Sequence, residues 1–204
     1  MPELIADRLL YCGLAKVVSL LHPFIGYPSI SNEDFHSLDV QGFSWHPDGI
    51  LFDCENGFLW LRAYKSKEVT VQTNTETAIV VPIKIPEEGY ICAIDDEGRE
   101  DDKLVLAPGE YKMLFELRDM TDDEPVAKKY AETIYPDALE PEFSIRPEVC
   151  TLTFVAVKER VEPELLRFQP IVPYEYRKQV RDGSMKIEDF MPDEFIMFDT
   201  SLKR

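Results

Sequence analysis

Two runs of carboxylates are the side chains of this sequence most able to act on something outside it. The first is Asp95-Asp96-Glu97-Gly98-Arg99-Glu100-Asp101-Asp102, with six acids in eight positions, and the second is Asp119-Met120-Thr121-Asp122-Asp123-Glu124. Carboxylate oxygens at this density suit a hard cation or a cationic partner. A calcium loop of the EF-hand kind needs ligands at alternating positions and a bidentate glutamate at its end. The first run has neither, and Arg99 sits in its middle. What remains is a solvated turn or a surface for a positively charged molecule.

Other chemistry finds little support. Three histidines, His22, His36 and His46, precede the region of strands, and no G-x-S-x-G nucleophile elbow occurs. Cys54 with His46 is the one tempting cysteine–histidine pair, and an inert buried thiol on a strand is the simpler account of Cys54. An enzyme built on either group would require them to meet in a cleft. A zinc site from His36, His46 and Asp34 or Asp39 would lack both H-E-x-x-H and paired cysteines. Neither a phosphate-cradling loop nor a dinucleotide fingerprint is present. The expectation is a protein without enzymatic activity, cofactor or metal.

The net charge of −17 narrows the partners. Nucleic acid and anionic membrane both need cationic groups to displace their counterions, so neither is expected to bind. A basic protein or peptide is the partner that this charge fits, and solubility alone is its plainer purpose. Cys12, Cys54, Cys92 and Cys150 lie far apart among apolar neighbours, as thiols would. Glu3, Asp7 and Lys16 spoil an export signal, and no apolar run approaches membrane-spanning length. A cytoplasmic protein is expected.

The elements that must carry these groups are mainly β. With 45% apolar residues in 204, a sizeable core can form. Residues 3–21 show apolar positions near helical spacing, which predicts an amphipathic N-terminal helix ended by Pro23 and Gly26. Residues 24–47 read as an irregular connection. Strands are expected over 49–54, 58–64, 68–73, 78–85, 90–94, 103–107, 110–118 and 150–158, punctuated by Glu55-Asn56-Gly57, Pro86–Gly89 and Pro108-Gly109. In 110–118, Tyr111, Met113, Phe115 and Leu117 fall on one face, while Lys112, Glu116 and Arg118 fall on a face expected to meet water. Pro82 requires its strand to lie at an edge or a bulge. The predicted fold is an antiparallel β-sandwich or flattened barrel over 48–160. It is preceded by an N-terminal helix and connection at 1–47, and followed by an extended C-terminal tail at 161–204. Apolar residues near the end of that tail should pack on the domain or on a second copy, forming a homodimer.

The central strands resemble the competence protein J family. The resemblance lies in Asp48-Gly49-Ile50-Leu51-Phe52, Phe58-Leu59-Trp60-Leu61-Arg62 and Ala78-Ile79-Val80-Val81-Pro82-Ile83. It continues through Gly89-Tyr90-Ile91-Cys92-Ala93-Ile94 and Leu106-Ala107-Pro108-Gly109-Glu110-Tyr111-Lys112-Met113. Members of that family inhibit the DNA-entry nuclease of a bacterial DNA-uptake system, so the resemblance implies an inhibitor of a nuclease. A nuclease gripping DNA needs a cationic groove, which carboxylates can occupy in place of phosphates. The expected contact residues are Asp95, Asp96, Glu97, Glu100, Asp101 and Asp102 in one segment, and Asp119, Asp122, Asp123 and Glu124 in the other. The alternative is a small-molecule or peptide-binding β module with Trp45, Trp60 and Tyr64 lining its cleft.

Overall fold

The computed structural model describes residues 1–11, 17–21, 43–46, 49–53, 58–94, 103–121, 124, 148–168, 176, 179–180 and 183–190. Within these, the strands in chain order are β1 (Glu3–Tyr11), β2 (Val17–Leu21), β3 (Phe43–His46), β4 (Gly49–Asp53), β5 (Phe58–Ser66) and β6 (Thr77–Ile85). They continue with β7 (Tyr90–Ile94), β8 (Lys103–Val105), β9 (Gly109–Asp119), β10 (Glu148–Ala156) and β11 (Glu164–Arg167). A short 3-10 turn, Ile187–Phe190, follows.

Six strands form one sheet in the order β1-β5-β10-β9-β6-β11, and five form another in the order β3-β4-β2-β7-β8. The predicted antiparallel arrangement is corrected at one ladder, because β10 runs parallel to β5, so the larger sheet is mixed. A closed barrel is also excluded for this sheet. Its order ends at β1 and β11, which pair only inward. The C-terminal segment enters the same sheet through β11, which is antiparallel to β6.

The predicted N-terminal helix is overturned. Residues 3–21 supply β1, antiparallel to β5, and β2, antiparallel to both β4 and β7. The register of β1 slips between Leu4 and Ala6. Ile5 and Ala6, adjacent in sequence, consequently both pack on the core cluster. A bulge of this kind breaks the two-residue alternation, and the resulting apolar spacing mimics a helical one. Pairing with a long neighbour then decides the conformation over local pattern. Two smaller expectations also fail. Residues 43–46, read as irregular, are β3 on the edge of the second sheet. Residues 68–73, read as a strand, are irregular chain.

The core lies on one face of the larger sheet. Leu61 and Ala63 of β5, Cys150, Leu152 and Phe154 of β10, Tyr111, Met113 and Phe115 of β9, and Ile79 and Val81 of β6 form it. Leu104 of β8 joins the same cluster fully buried, bringing the second sheet onto this face. Tyr111 meets Phe154 edge to face, with ring centroids 6.4 Å apart.

The opposite face is covered as well, at its β6–β9 end. Ala78, Val80 and Leu114 are buried there under Val69, Val71 and Val161. This explains why β6 reads as a near-continuous apolar run rather than an alternating one. Pro82 is compatible with this interior strand because β11 reaches only Ala78, Ile79 and Val80. Beyond them the β11 side of β6 is an edge, where a missing N–H removes no ladder bond. The turn after β6 closes with Gly89 N–H donating to Pro86 O at 3.0 Å. Gly89 has φ 76°, and a Cβ there would stand 3.3 Å from the Leu106 carbonyl oxygen, so the turn favours glycine.

Candidate functional site

Register places the polar side chains of the larger sheet in rows across the face away from the core. One row runs Asp7 (β1), Arg62 (β5), Thr151 (β10), Glu116 (β9) and Ala78 (β6). The next runs Trp60, Val149 and Arg118. Expected to meet water, Glu116 and Arg118 are instead 2% and 8% exposed.

Glu116 has an internal task. Its Oε1 accepts from the Gln72 backbone N–H and the Thr75 hydroxyl, each at 2.7 Å. From the other side, Arg167 Nη1 donates to the carbonyls of Thr73 and Thr75 at 3.2 and 2.6 Å. Together they hold the irregular chain that carries Val69 and Val71 over the sheet. Two donors on one buried carboxyl oxygen satisfy the requirement that a polar group removed from water be hydrogen-bonded.

Glu124 is similarly engaged. Arg118 Nη1 and Nη2 donate to Glu124 Oε2 and Oε1 at 3.0 and 2.5 Å, a fork-to-fork pair. Glu124 Oε2 also accepts from Thr121 N–H at 2.8 Å, while Glu124 N–H donates to Thr121 O at 3.2 Å. These two bonds close the Thr121–Glu124 turn on itself and fix the carboxylate in front of Arg118. The Arg118 hydrogen bond holds the Glu124 carboxyl below its ordinary value, more strongly than burial raises it. The Arg118 guanidinium is correspondingly raised.

The sign for stability follows from linkage. Because the folded Glu124 pKa is depressed, its contribution is complete above the unfolded value of about 4.5 and is lost as pH falls through the lower folded value. Glu124→Gln should therefore cost about 1–2 kcal/mol at neutral pH. Urea titrations at a series of pH values should show that difference constant above pH ~5 and shrinking below it.

The carboxylates nominated from sequence stand as follows. Asp95, Asp96, Glu97, Glu100, Asp101 and Asp102 lie outside the described residues, as do Asp122 and Asp123. The first segment is bounded by β7 at Ile94 and β8 at Lys103, and Arg8 of β1 reaches the Lys103 carbonyl at 3.5 Å. Asp119 ends β9, paired with Glu148 of β10. Glu124 is bound to Arg118, as above. His46 lies in β3, whereas Cys54, His22 and His36 fall outside the described residues. Among the described residues no group of three or more His, Cys, Asp or Glu is placed to hold a metal ion. Among them, too, no helix is long and apolar enough to cross a membrane.

Of the aromatic trio, Trp45 lies in β3 of the second sheet, while Trp60 and Tyr64 share the outer face of β5. Trp60 is 5% exposed and packs with Met120 and Val149, so it belongs to the interior. Between them, two residues that sequence reasoning passed over, Arg62 and Asp7, complete a cluster. The Arg62 guanidinium carbon sits 4.9 Å from the Trp60 ring centroid and 5.4 Å from that of Tyr64. The Trp60 indole N–H donates to Asp7 Oδ1, and Asp7 Oδ2 lies 3.9 Å from Arg62 Nε. Burial raises the Tyr64 hydroxyl pKa, the nearby Arg62 charge opposing. The signal was present as Trp60-x-Arg62-x-Tyr64, which a strand places on one face.

Comparison with known proteins adds four findings. Among solved structures, the chain is similar to ComJ from Bacillus subtilis, described as an inhibitor of the DNA degrading activity of NucA. The TM-score is 0.54 at 12% identity, covering 77% of this chain and 99% of that one. It also aligns with the product of crocagin biosynthetic gene J, with a TM-score of 0.43 at 14% identity over 75% of this chain and 97% of the other. No curated protein matches. The profile of the competence protein J (ComJ) family matches residues 28–155. That match takes in more than half of the sequence, and the chain therefore belongs to the competence protein J family.

Proposed function

We propose that this chain binds a DNA-degrading nuclease and inhibits it by covering the cationic surface that would hold DNA. Family membership carries the reading. The fold supports it, since almost the whole of a nuclease inhibitor from Bacillus subtilis is covered by the likeness. So does the net charge of −17, which suits a basic target. The segments 95–102 and 119–124 are the proposed contacts. Because Glu124 is engaged by Arg118, Asp119, Asp122 and Asp123 are the acids of the second segment nominated to meet the partner. Their charge would speed encounter and select the partner, while a few desolvated anchors would hold the complex. We place the activity in the cytoplasm, where thiols such as the buried Cys150 remain reduced.

The test is DNA cleavage by a nuclease encoded beside this gene, with and without the purified chain. Cleavage should fall as the chain reaches equimolar amounts, and the inhibition should weaken as salt is added. Undiminished cleavage at micromolar excess overturns the reading.

A further inference from the structure

We infer that Arg62 is an anchor for a carboxylate on the partner protein, its guanidinium set in place by the rings of Trp60 and Tyr64. The inference rests on the inhibitory role proposed above and adds a contact of opposite sign to the acidic ones.

Three observations carry it. First, the guanidinium is oriented before any partner arrives. It lies over both rings, at 4.9 and 5.4 Å, and Trp60 is itself fixed by burial and by its bond to Asp7. An arginine stacked on aromatic faces loses little freedom on binding. Second, its hydrogen-bonding capacity is not met by the neighbouring acid. Asp7 Oδ2, at 3.9 Å, is too far from Nε for a hydrogen bond, and its Oδ1 serves the indole. Among the described residues, Arg62 Nε is buried with no hydrogen-bond partner. The side chain is nevertheless 32% exposed, so its outer fork is the part that a partner can reach.

Third, the surroundings have the make-up of a binding hot spot. Arginine, tyrosine and tryptophan dominate such sites, flanked by contacts that exclude water. Leu4, 50% exposed, is the register partner of Tyr64 and supplies an apolar flank. Among the described residues, those that cover this face pack on Trp60, as Met120 does, or lie over β6 and β9, as Val69, Val71 and Val161 do.

Asp7 balances the local charge, so a free anion gains little here. A carboxylate held in a docked protein meets the planar fork bidentately, which is a geometric requirement and not only an electrostatic one. On a chain of net charge −17, a cation held in this way fixes the register of the docked partner.

The experiment measures binding of the intact chain and its variants to the nuclease by surface plasmon resonance, without DNA and again with duplex DNA present. Arg62→Lys keeps the charge and loses the fork. It should raise Kd about tenfold or more through faster dissociation, with the association rate and its salt dependence unchanged. Arg62→Gln should be at least as weak, and both should keep the parent's thermal midpoint within a few degrees. An alanine scan of acidic residues on the nuclease should then find one whose loss costs nothing further in the Arg62→Lys background. Parental affinity in Arg62→Lys, or no coupled acid in the scan, overturns the assignment while leaving the inhibitor reading intact. An effect seen only with DNA present would make phosphate the ligand and overturns it equally. If the parent chain neither binds nor inhibits the nuclease, both fall together.

Discussion

Phe115→Ala is expected to remove about 3–5 kcal/mol of folding free energy, a large share of the roughly 5–15 kcal/mol available to a domain. Phe115 lies near the middle of β9, with Leu152 of β10 and Ile79 of β6 as its register partners. All three belong to the principal cluster, and Phe115 is 1% exposed. Its ring is held by strands on both sides, so the surrounding backbone cannot close on the space left behind. Such a site loses both the transfer energy of the ring and the contacts that lined it. Urea unfolding would show the midpoint falling with the slope retained. Leu166→Ala, at a position 40% exposed on β11, is the matched control and should stay within about 0.5 kcal/mol of the parent. Similar losses in the two variants would mean that the cluster around β9 is not the main core.

The strands that were legible are those whose pattern matches one simple environment. β9 shows its core face as Tyr111, Met113 and Phe115, and β6 shows burial on both faces as an unbroken apolar run. The turn before Tyr90 announces itself by Pro86 and Gly89, and its glycine has the positive φ that the residue type suggests. What failed was β1, where one bulge moved Ile5 and Ala6 onto the same side and left a spacing that also fits a helix. The parallel ladder between β5 and β10 was hidden for a different reason. Its strands are far apart in sequence, and no turn residue records their relative direction.

The site was less legible than the fold because charge in a sequence does not reveal its partner. Glu116, Arg118 and Glu124 look alike as acidic or basic residues on a solvated face. The structure separates them: Glu116 fastens the chain over β9, and Arg118 takes Glu124. Each bond joins a strand to a segment whose path no local pattern fixes. Arg62 is the reverse case. Its alternating aromatic neighbours were visible in the sequence. The short reach of Asp7, which leaves Nε without an acceptor, could be seen only once β1 was paired in register with β5.

The acidic segments yield the other large expected effect. Asp122→Lys with Asp123→Lys should slow association with the nuclease by about one to three orders of magnitude, and flatten its dependence on salt. Dissociation should change less, since steering acts before docking. Asp95→Lys with Asp96→Lys probes the first segment in the same way. The decisive comparison is Glu87→Lys with Glu88→Lys, which reverses two exposed acids in the turn between β6 and β7. Each acid-to-lysine change adds two charges, so all three double variants move the net charge from −17 to −13. If bulk acidity alone attracted the partner, all three would slow association alike. If the nominated segments face the partner, the Glu87 and Glu88 variant should remain close to the parent, because at physiological salt a charge acts over only about 8 Å. Equal slowing in every variant would reduce the acidic runs to general solubility and remove them from the interface.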